Sequence, residues 1–160
     1  MRTLISDQSY FDQYKAGKYR LTFDEAEGMK IFFSEKGDCF HCHVAMLFTD
    51  GQFHNNGLES QHTGAGKGRE LVTQNPKDRG LFLTPTLRNI EKSGPYMHDG
   101  RYSTLEEVVE FYNSGVKASS TLDPIMYKRP DLSRLGLTDT EKKQLVAFLK
   151  TLTDEKFVTP

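Results

Sequence analysis

The chain has 160 residues, of which 36% are hydrophobic and 27% charged, with a formal net charge of -1. That length suffices for a single domain with one sizeable core. The near-neutral charge gives no reason to expect nucleic acid or an anionic membrane surface as a partner, and no apolar run approaches the roughly 20 residues of a membrane-spanning helix.

The two ends of the chain differ from its middle. We predict an N-terminal linker or interdomain segment over residues 1–21, one compact domain over residues 22–153 and a tail over residues 154–160. The start Met1–Ser6 is not a secretory signal, because no apolar stretch follows Arg2.

The first clear helix begins at Thr22. Thr22 and Glu25 have the spacing of a capping box, in which each side chain bonds a free backbone N–H of the other residue. Gly37 ends the helical segment. One face of the helix is apolar, because hydrophobic residues recur three and four positions apart; they are Ala26, Met29 and Phe33.

Both cysteines of the chain lie in one pentapeptide, Cys39-Phe40-His41-Cys42-His43. Cys-x-x-Cys-His is the attachment pattern of haem c. Two thiols one helical turn apart can reach the two vinyl carbons on one porphyrin edge, and the imidazole of His43 then lies under the iron as its proximal ligand. We therefore predict one covalent haem, bound through Cys39 and Cys42. His41 is expected to be exposed and receives no role.

Two other interpretations of the cysteines are weaker. A structural zinc site would need a second pair of ligands, and only His54 and His62 are at hand, in a poor arrangement. A redox dithiol of the thioredoxin kind would need a β-α-β pattern, which the sequence lacks.

Residues 49–83 are rich in Gly, Asn and charge and show no apolar period. This composition predicts a long loop region with at most a short helical turn. Loops of this length in compact domains are usually functional or wrapped around something, and a haem is a suitable object. The Gly-rich piece Thr63–Arg69 does not have the spacing of a phosphate loop, and no strand precedes it.

Two more helices follow. The second begins at Ser103–Thr104 and carries carboxylates in its first turn, where they favour the positive helix end. Its apolar face comprises Leu105, Val108, Val109 and Tyr112. The third begins with a capping box over Thr138–Glu141. It has the strongest helical pattern of the chain, with Leu145, Phe148, Leu149 and Leu152 on one side. With no convincing strand, the fold class is all-α.

A long signature carries a resemblance to a known family. It consists of Phe53–Gly57, Phe82–Ile90, Ser93–Gly100, Thr104–Val109 and the closing helix Leu137–Leu152. Over about Leu4 to Leu152 the chain resembles the C-terminal haem domain of bacterial di-haem cytochrome c peroxidases and their MauG-type relatives. The resemblance implies a class I cytochrome c-like haem domain, in which long loops wrap one covalent haem.

In that family, peroxide is reduced at an N-terminal haem, while the C-terminal haem relays electrons from a donor protein. This chain has one haem motif, so the resemblance implies the electron-relaying half of a protein that reduces hydrogen peroxide to water. Its partners would be an N-terminal peroxidatic haem domain, on the same native chain or another, and a small donor such as a cytochrome c or cupredoxin. A homodimer is left open. The alternative is a stand-alone mono-haem electron carrier without catalysis of its own.

Attachment of haem to thiols normally takes place outside the cytoplasm. We therefore expect a periplasmic or extracellular protein, and a chain that lacks its natural start.

The distal iron ligand has three candidates. Family comparison implies Tyr112, whose position is Met in the peroxidases and Tyr in MauG-type enzymes. The alternative is that Tyr112 is a core tyrosine with its hydroxyl bonded to backbone. Met126, in an irregular loop, and Met97 are the other candidates, and an open or His-filled site is the remaining option. A thioether ligand would raise the reduction potential, whereas an anionic phenolate would stabilise ferric iron.

Arg88, Asn89 and His98 are candidates for the surroundings of the haem propionates. Arg88 offers a planar bidentate donor to a carboxylate, and His98 beside Asp99 could form an imidazole–carboxylate pair. The structural alternatives are that Arg88 bonds loop carbonyls and that His98 is a turn residue.

The resemblance also implies a calcium ion between the two haem domains. Its ligands from this half would be the main-chain carbonyls of Ser93 and Pro95. The family's haems communicate through an interface tryptophan, and the chain contains no Trp. Such a relay residue would have to lie elsewhere.

Overall fold

The computed structural model describes residues 6–127 and 135–158, with the side chains of residues 157 and 158 left aside. The described part is rich in helix and carries one small sheet. The α-helices are α1 (Tyr10–Lys15), α2 (Phe23–Phe32), α3 (Glu70–Thr73), α4 (Leu105–Glu110), α5 (Asp139–Lys150) and α6 (Glu155–Val158). The strands β1 (Phe53–His54) and β2 (Phe82–Leu83) pair antiparallel, with Phe53 opposite Leu83.

Helices α2 and α5 form the most extensive helix pair of the described residues. The capping boxes predicted at Thr22 and Thr138 are confirmed, since each threonine side chain accepts from the backbone N–H three residues on. Gly28 allows the two helices to meet: a Cβ at this position would lie 1.9 Å from the carbonyl oxygen of Gln144. Any side chain at residue 28 would force the helices apart.

Aromatic rings fill the main core between these helices. Phe32, Phe48 and Phe148 are fully buried. The ring of Phe11 packs edge-on against Phe48 and Phe148, with centroid distances of 5.4 and 5.6 Å. Such edge-to-face pairs add to the hydrophobic stabilisation from burial.

Phe11 belongs to the main core, although it lies before residue 22, where the sequence analysis predicted that the domain begins. Helix α1 has its own capping box, in which Ser9 and Asp12 bond each other's backbone N–H. The backbone N–H of Phe11 donates to the carbonyl of Thr151 at 2.9 Å. Helix α1 therefore packs against the main core, within the segment predicted as a linker or interdomain segment.

Helix α4 begins after Thr104, where a helix start was predicted, and Thr104 and Glu107 form a capping box that the sequence analysis did not identify. It then widens into a π-helical turn, Phe111–Gly115, which the sequence pattern did not reveal. A π-turn inserts an extra residue into the helical repeat and is frequent at functional sites. Here it sets the direction of Tyr112. Phe111 belongs to a second, smaller core cluster with Leu58, Val116 and Leu122.

Residues 49–83 are largely irregular, as predicted, and their helical parts are α3 and two 3-10 turns, Gly64–Lys67 and Pro76–Asp78. The paired strands β1 and β2 were not predicted. They close this loop region near its two ends, and an isolated bridge between Gly68 and Leu81 tightens it further.

The predicted tail also has structure. Asp154 is buried, and α6 follows it. The beginning of the family resemblance at Leu4 and the last two residues of the tail lie outside the described residues. Among those that are described, no helix is long and apolar enough to cross a membrane.

Candidate haem site

The cysteine motif lies just after α2. Cys39–His41 form a 3-10 turn, and the backbone N–H of His43 donates to the carbonyl of Cys39 at 2.9 Å. Both cysteines are free thiols. Burial raises the pKa of Cys39 to about 12 and that of Cys42 to about 11. The motif thus presents two protonated thiols one turn apart, in surroundings that disfavour charge.

The ring of His43 is oriented by the core. Its Nδ1 lies 2.9 Å from the carbonyl oxygen of Phe48, so Nδ1–H donates and Nε2 keeps its lone pair. Burial lowers the pKa of His43, which keeps the imidazole neutral. A neutral ring with one nitrogen bonded to a backbone carbonyl is the usual state of a metal-ligating histidine. Phe48 itself is fully buried, which fixes the accepting carbonyl.

The three distal candidates come together on the second core cluster. Tyr112, Met97 and Met126 are all partly buried and pack against it. Asn56 connects two of them: its Nδ2 donates to the Tyr112 hydroxyl at 3.1 Å and lies 3.7 Å from the sulfur of Met97. Sequence reasoning missed Asn56, although it lies within the segment Phe53–Gly57.

The environment of Tyr112 ties it to the cysteine motif. Burial raises the pKa of Tyr112 to about 12, and the electrostatic influence of Cys39 and Cys42 raises it as well, while the hydrogen bond from Asn56 opposes the shift. The phenol is therefore neutral here, and both thiols contribute to its electrostatic environment. Among the described residues, its hydroxyl accepts from the side chain of Asn56. Iron ligation by Tyr112 stays a prediction.

These residues fit a covalently attached haem. The motif supplies two reduced thiols and an oriented neutral imidazole, Cys39 packs against the main core, and Tyr112, Met97 and Met126 pack against the second cluster. Phe40 and Leu87 also pack against the main core. Apolar walls with few polar groups suit the porphyrin faces.

The zinc alternative can be examined at His54. Donor atoms of Cys42, Asp50 and His54 all lie within 4.8 Å of one another. However, the two ring nitrogens of His54 lie 2.8 Å from Asp50 Oδ2 and 2.5 Å from Asp123 Oδ2. Burial alone would lower the pKa of His54, but the bonds to Asp123 and Asp50 raise it. A ring that donates from both nitrogens has no lone pair for zinc.

Arg88 has structural partners that the sequence did not reveal. Its guanidinium makes a bidentate pair with Asp12, at 2.8 and 3.1 Å, and Nε donates to the carbonyl of Met46 at 2.7 Å. These contacts agree with the structural alternative for Arg88, and a propionate contact stays a prediction.

Asn89 is buried and connects the two ends of the described chain. Its Oδ1 accepts from the backbone N–H of Asp154 at 2.8 Å, and its Nδ2 donates to Ser6 Oγ at 3.0 Å. A role beside the propionates is untested for this residue too.

The remaining predicted site residues are exposed. His98 stacks on Phe82, with a centroid distance of 3.9 Å, and its imidazole lies near the carboxylate of Asp99. Ser93 and Pro95 are exposed, and the calcium ligation predicted for their carbonyls is untested. His41 is exposed, as expected, and pairs with Asp38.

No protein-family model matches the chain, but similar proteins are found. It is 36% identical to the cytochrome c551 peroxidase of Nitrosomonas europaea, over 96% of this chain and 42% of that protein. The chain is 35% identical to the cytochrome-c peroxidase IdrP1 of Denitromonas iodatirespirans, over 94% of this chain and 46% of that protein. The chain is also 34% identical to the methylamine utilization protein MauG of Methylorubrum extorquens, over 96% of this chain and 42% of that protein.

The chain matches the family of di-haem cytochrome c peroxidases and MauG. Among solved structures, a MauG-like protein associated with microbial copper homeostasis superposes with a TM-score of 0.87 and 34% identity, over 96% of this chain and 50% of that one. The diheme peroxidase BthA from Burkholderia thailandensis superposes with a TM-score of 0.73 and 25% identity (95% and 48% covered). The family resemblance noted in the sequence is thereby confirmed. The chain spans about half the length of the curated relatives it matches.

Proposed function

We propose that this chain is the electron-relaying haem domain of a di-haem peroxidase-like protein. It would hold one haem c in a class I cytochrome c-like fold, with thioether bonds from Cys39 and Cys42 and with His43 as proximal ligand. The observation that carries the proposal is the hydrogen bond from His43 to the Phe48 carbonyl, directly after two free thiols. The family match supports the assignment.

Haem bound here would supply one-electron redox chemistry. Reduction of one hydrogen peroxide to two waters consumes two electrons and two protons, so an electron donor is required. We assign that role to a small protein such as a cytochrome c or cupredoxin. Exposed apolar side chains lie just after the haem motif: Val44, Met46 and Leu47 are 44%, 75% and 64% exposed. They form a surface beside the motif that a protein partner can cover.

Tyr112 is our proposed distal ligand. It lies in the π-turn, both thiols contribute to its electrostatic environment, and Asn56 donates to its hydroxyl. A phenolate ligand is anionic and stabilises the oxidised state of iron, whereas Met97 or Met126 would raise the potential through a thioether. With Tyr112, the domain would store oxidising equivalents better than it relays electrons at high potential.

The peroxidatic centre would belong to an N-terminal haem domain, on the same native polypeptide or on another. A periplasmic location follows from the extracytoplasmic attachment of haem c and agrees with the peroxidase relatives. Calcium at the Ser93 and Pro95 carbonyls and a homodimer are further expectations of this proposal.

A stand-alone electron carrier is the second candidate function. It is favoured by one observation, namely that the chain contains a single Cys-x-x-Cys-His motif. Such a carrier would exchange electrons with partners and catalyse nothing itself.

The mass and haem content of the protein isolated from its native source separate the two candidates. A longer polypeptide with two covalent haems, which reduces peroxide when supplied with reduced donor, agrees with the peroxidase proposal. A mature protein of about this size with one haem and no peroxide turnover would leave the carrier function in its place.

A further inference from the structure

A second cluster of potential metal ligands lies apart from the cysteine motif. The donor atoms of Glu59, His98 and Asp99 all lie within 4.8 Å of one another. Glu59 is half-buried, whereas the other two residues are exposed. Donors bound to one transition-metal ion at 2.0–2.2 Å lie about 3–4 Å apart, so small side-chain movements would bring these three to bonding distance.

His62 is an independent indication that something is bound here. Its side chain is 5% exposed, and its Nδ1 is a buried nitrogen without a hydrogen bond of good geometry among the described residues, although the Gly66 backbone is near enough to influence its pKa. This Nδ1 lies 4.0 Å from Glu59 Oε2, so His62 borders the cluster through Glu59 without belonging to the group of three. A buried polar atom without a partner is costly, and a ligand at the cluster would remove that cost.

The other nitrogen of His62 permits the tautomer that a metal requires. Asn55 Nδ2 lies 3.1 Å from His62 Nε2, but its two hydrogens also have acceptors in Ser119 Oγ and Thr121 Oγ1, both at 3.0 Å. Nε2 can therefore carry the proton and donate to Ser119 Oγ, which lies 3.5 Å away. Nδ1 then presents its lone pair to the cluster.

The ligand positions are held by rigid local structure. His98 and Asp99 lie on a short turn closed by the hydrogen bond from the Tyr96 N–H to the Tyr102 carbonyl, at 2.7 Å. The His98 ring stacks on Phe82 with an interplanar angle of 11°. His62 packs against Gly80, where a Cβ would come within 2.5 Å of the imidazole. Preorganised ligands of this kind lose little freedom on binding.

Arg101 binds both carboxylates of the cluster and leaves one oxygen of Glu59 available to a metal ion. Its Nη2 donates to Glu59 Oε1 at 2.8 Å and its Nε donates to Asp99 Oδ2 at 2.8 Å. Glu59 Oε2 is thus left facing His62. With both histidines neutral, two carboxylates and one guanidinium give the cluster a net charge of about -1, which favours a cation.

We propose that Glu59, His62, His98 and Asp99 bind one divalent transition-metal ion, separate from the haem. Two imidazole nitrogens with carboxylate oxygens suit zinc and copper, whereas calcium and magnesium prefer oxygen ligands alone. The site joins the loop region of residues 49–83 to the turn that carries Met97. It rests on these four side chains and does not depend on the proposed peroxidase function.

The test uses the haem-loaded chain without an affinity tag, titrated with Zn²⁺ by calorimetry in a buffer that does not chelate metals. We expect one Zn²⁺ per chain. Glu59→Gln and His98→Asn should each weaken binding by about tenfold or more, as the loss of metal-site residues does elsewhere. X-ray absorption at the zinc edge should report imidazole nitrogen and carboxylate oxygen ligands.

His41→Asn is the matched control. It alters a different group, Glu35, Asp38 and His41, whose donor atoms also lie within 4.8 Å of one another. Zinc binding should be unchanged in this variant. Absence of zinc binding, as when a haem propionate fills the cluster, would overturn the proposal. Binding that survives both Glu59→Gln and His98→Asn, or that disappears in His41→Asn, would overturn it as well.

Discussion

The two sides of the proposed haem site are built in different ways. On the proximal side, the thiols and the imidazole come from five consecutive residues, and the imidazole is oriented by the Phe48 carbonyl, five residues beyond His43. On the distal side, Asn56, Met97 and Tyr112 come from three distant segments and meet through side-chain contacts. Local sequence fixes the proximal chemistry, whereas the distal chemistry depends on tertiary packing.

This contrast explains where function can vary within such a domain. A change at the distal side can exchange one ligand for another without disturbing the attachment of the cofactor, because the covalent bonds are made elsewhere. The reduction potential follows the axial ligand and its surroundings. In the proposed site, the proximal side would determine whether haem is bound, and the distal side would tune its reduction potential.

The largest expected effect is the loss of covalent haem when the cysteines of the proximal side are replaced. Replacing both thiols, in Cys39→Ser/Cys42→Ser, removes the thioether bonds and should abolish covalent haem. Haem staining of a denaturing gel and the pyridine haemochrome spectrum measure this loss. His41→Asn, inside the same motif, should retain full haem content. Stable covalent haem in the double variant would mean that attachment occurs elsewhere.

The next largest expected effect is a change in the reduction potential when the distal ligand is exchanged. Tyr112→Met exchanges a phenolate for a thioether and should raise the reduction potential by about 100 mV or more, since axial ligands tune haem over a range of several hundred millivolts. Spectroelectrochemistry measures the shift. Met97→Leu and Met126→Leu are the controls. If either of them, and not the Tyr112 variant, changes the ligand signature of the iron, the assignment moves to that methionine.

A smaller effect is expected where the N-terminal segment meets the motif loop. Arg88→Met leaves the carboxylate of Asp12 without its bidentate partner and should lower the free energy of unfolding by about 1–3 kcal/mol. Arg79→Met breaks the pair between the exposed Arg79 and Glu70 and should cost less, because water screens an exposed ion pair. Urea unfolding compares them. Equal losses would show that the Asp12–Arg88 pair contributes no more than a surface ion pair.

The smallest effect is a pH dependence at His54. The bonds to Asp123 and Asp50 raise its pKa in the folded state, so its contribution is fully present below the unfolded pKa near 6.5 and disappears as pH rises through the folded value. The free energy of unfolding should therefore fall more between pH 6 and 8 in the original chain than in His54→Gln. Identical pH profiles would contradict the pairing.

Much of this architecture follows from the sequence because its signals are local. The capping boxes at Thr22, Thr104 and Thr138 and the cysteine pentapeptide each involve residues within one helical turn. Helix α1 was missed because its Ser9 capping box uses Asp12 in place of the usual Glu or Gln and the helix is only six residues long.

The distal side could be predicted only in part. The π-turn that directs Tyr112 has no sequence pattern of its own, so the choice between Tyr112, Met97 and Met126 stayed open. Asn56 and His62 have partners far along the chain, Tyr112 and Ser119, which spacing does not reveal. Arg88 likewise could not be paired with Asp12, 76 residues away, from spacing alone.

Intact-mass spectrometry, after production together with the cytochrome c maturation machinery, tests the central claim most directly. We predict the polypeptide mass plus one haem, with the haem retained after denaturation and acid–acetone extraction and mapped by peptide analysis to Cys39 and Cys42. A colourless chain at the unmodified mass, or a haem that extracts freely, would contradict the account.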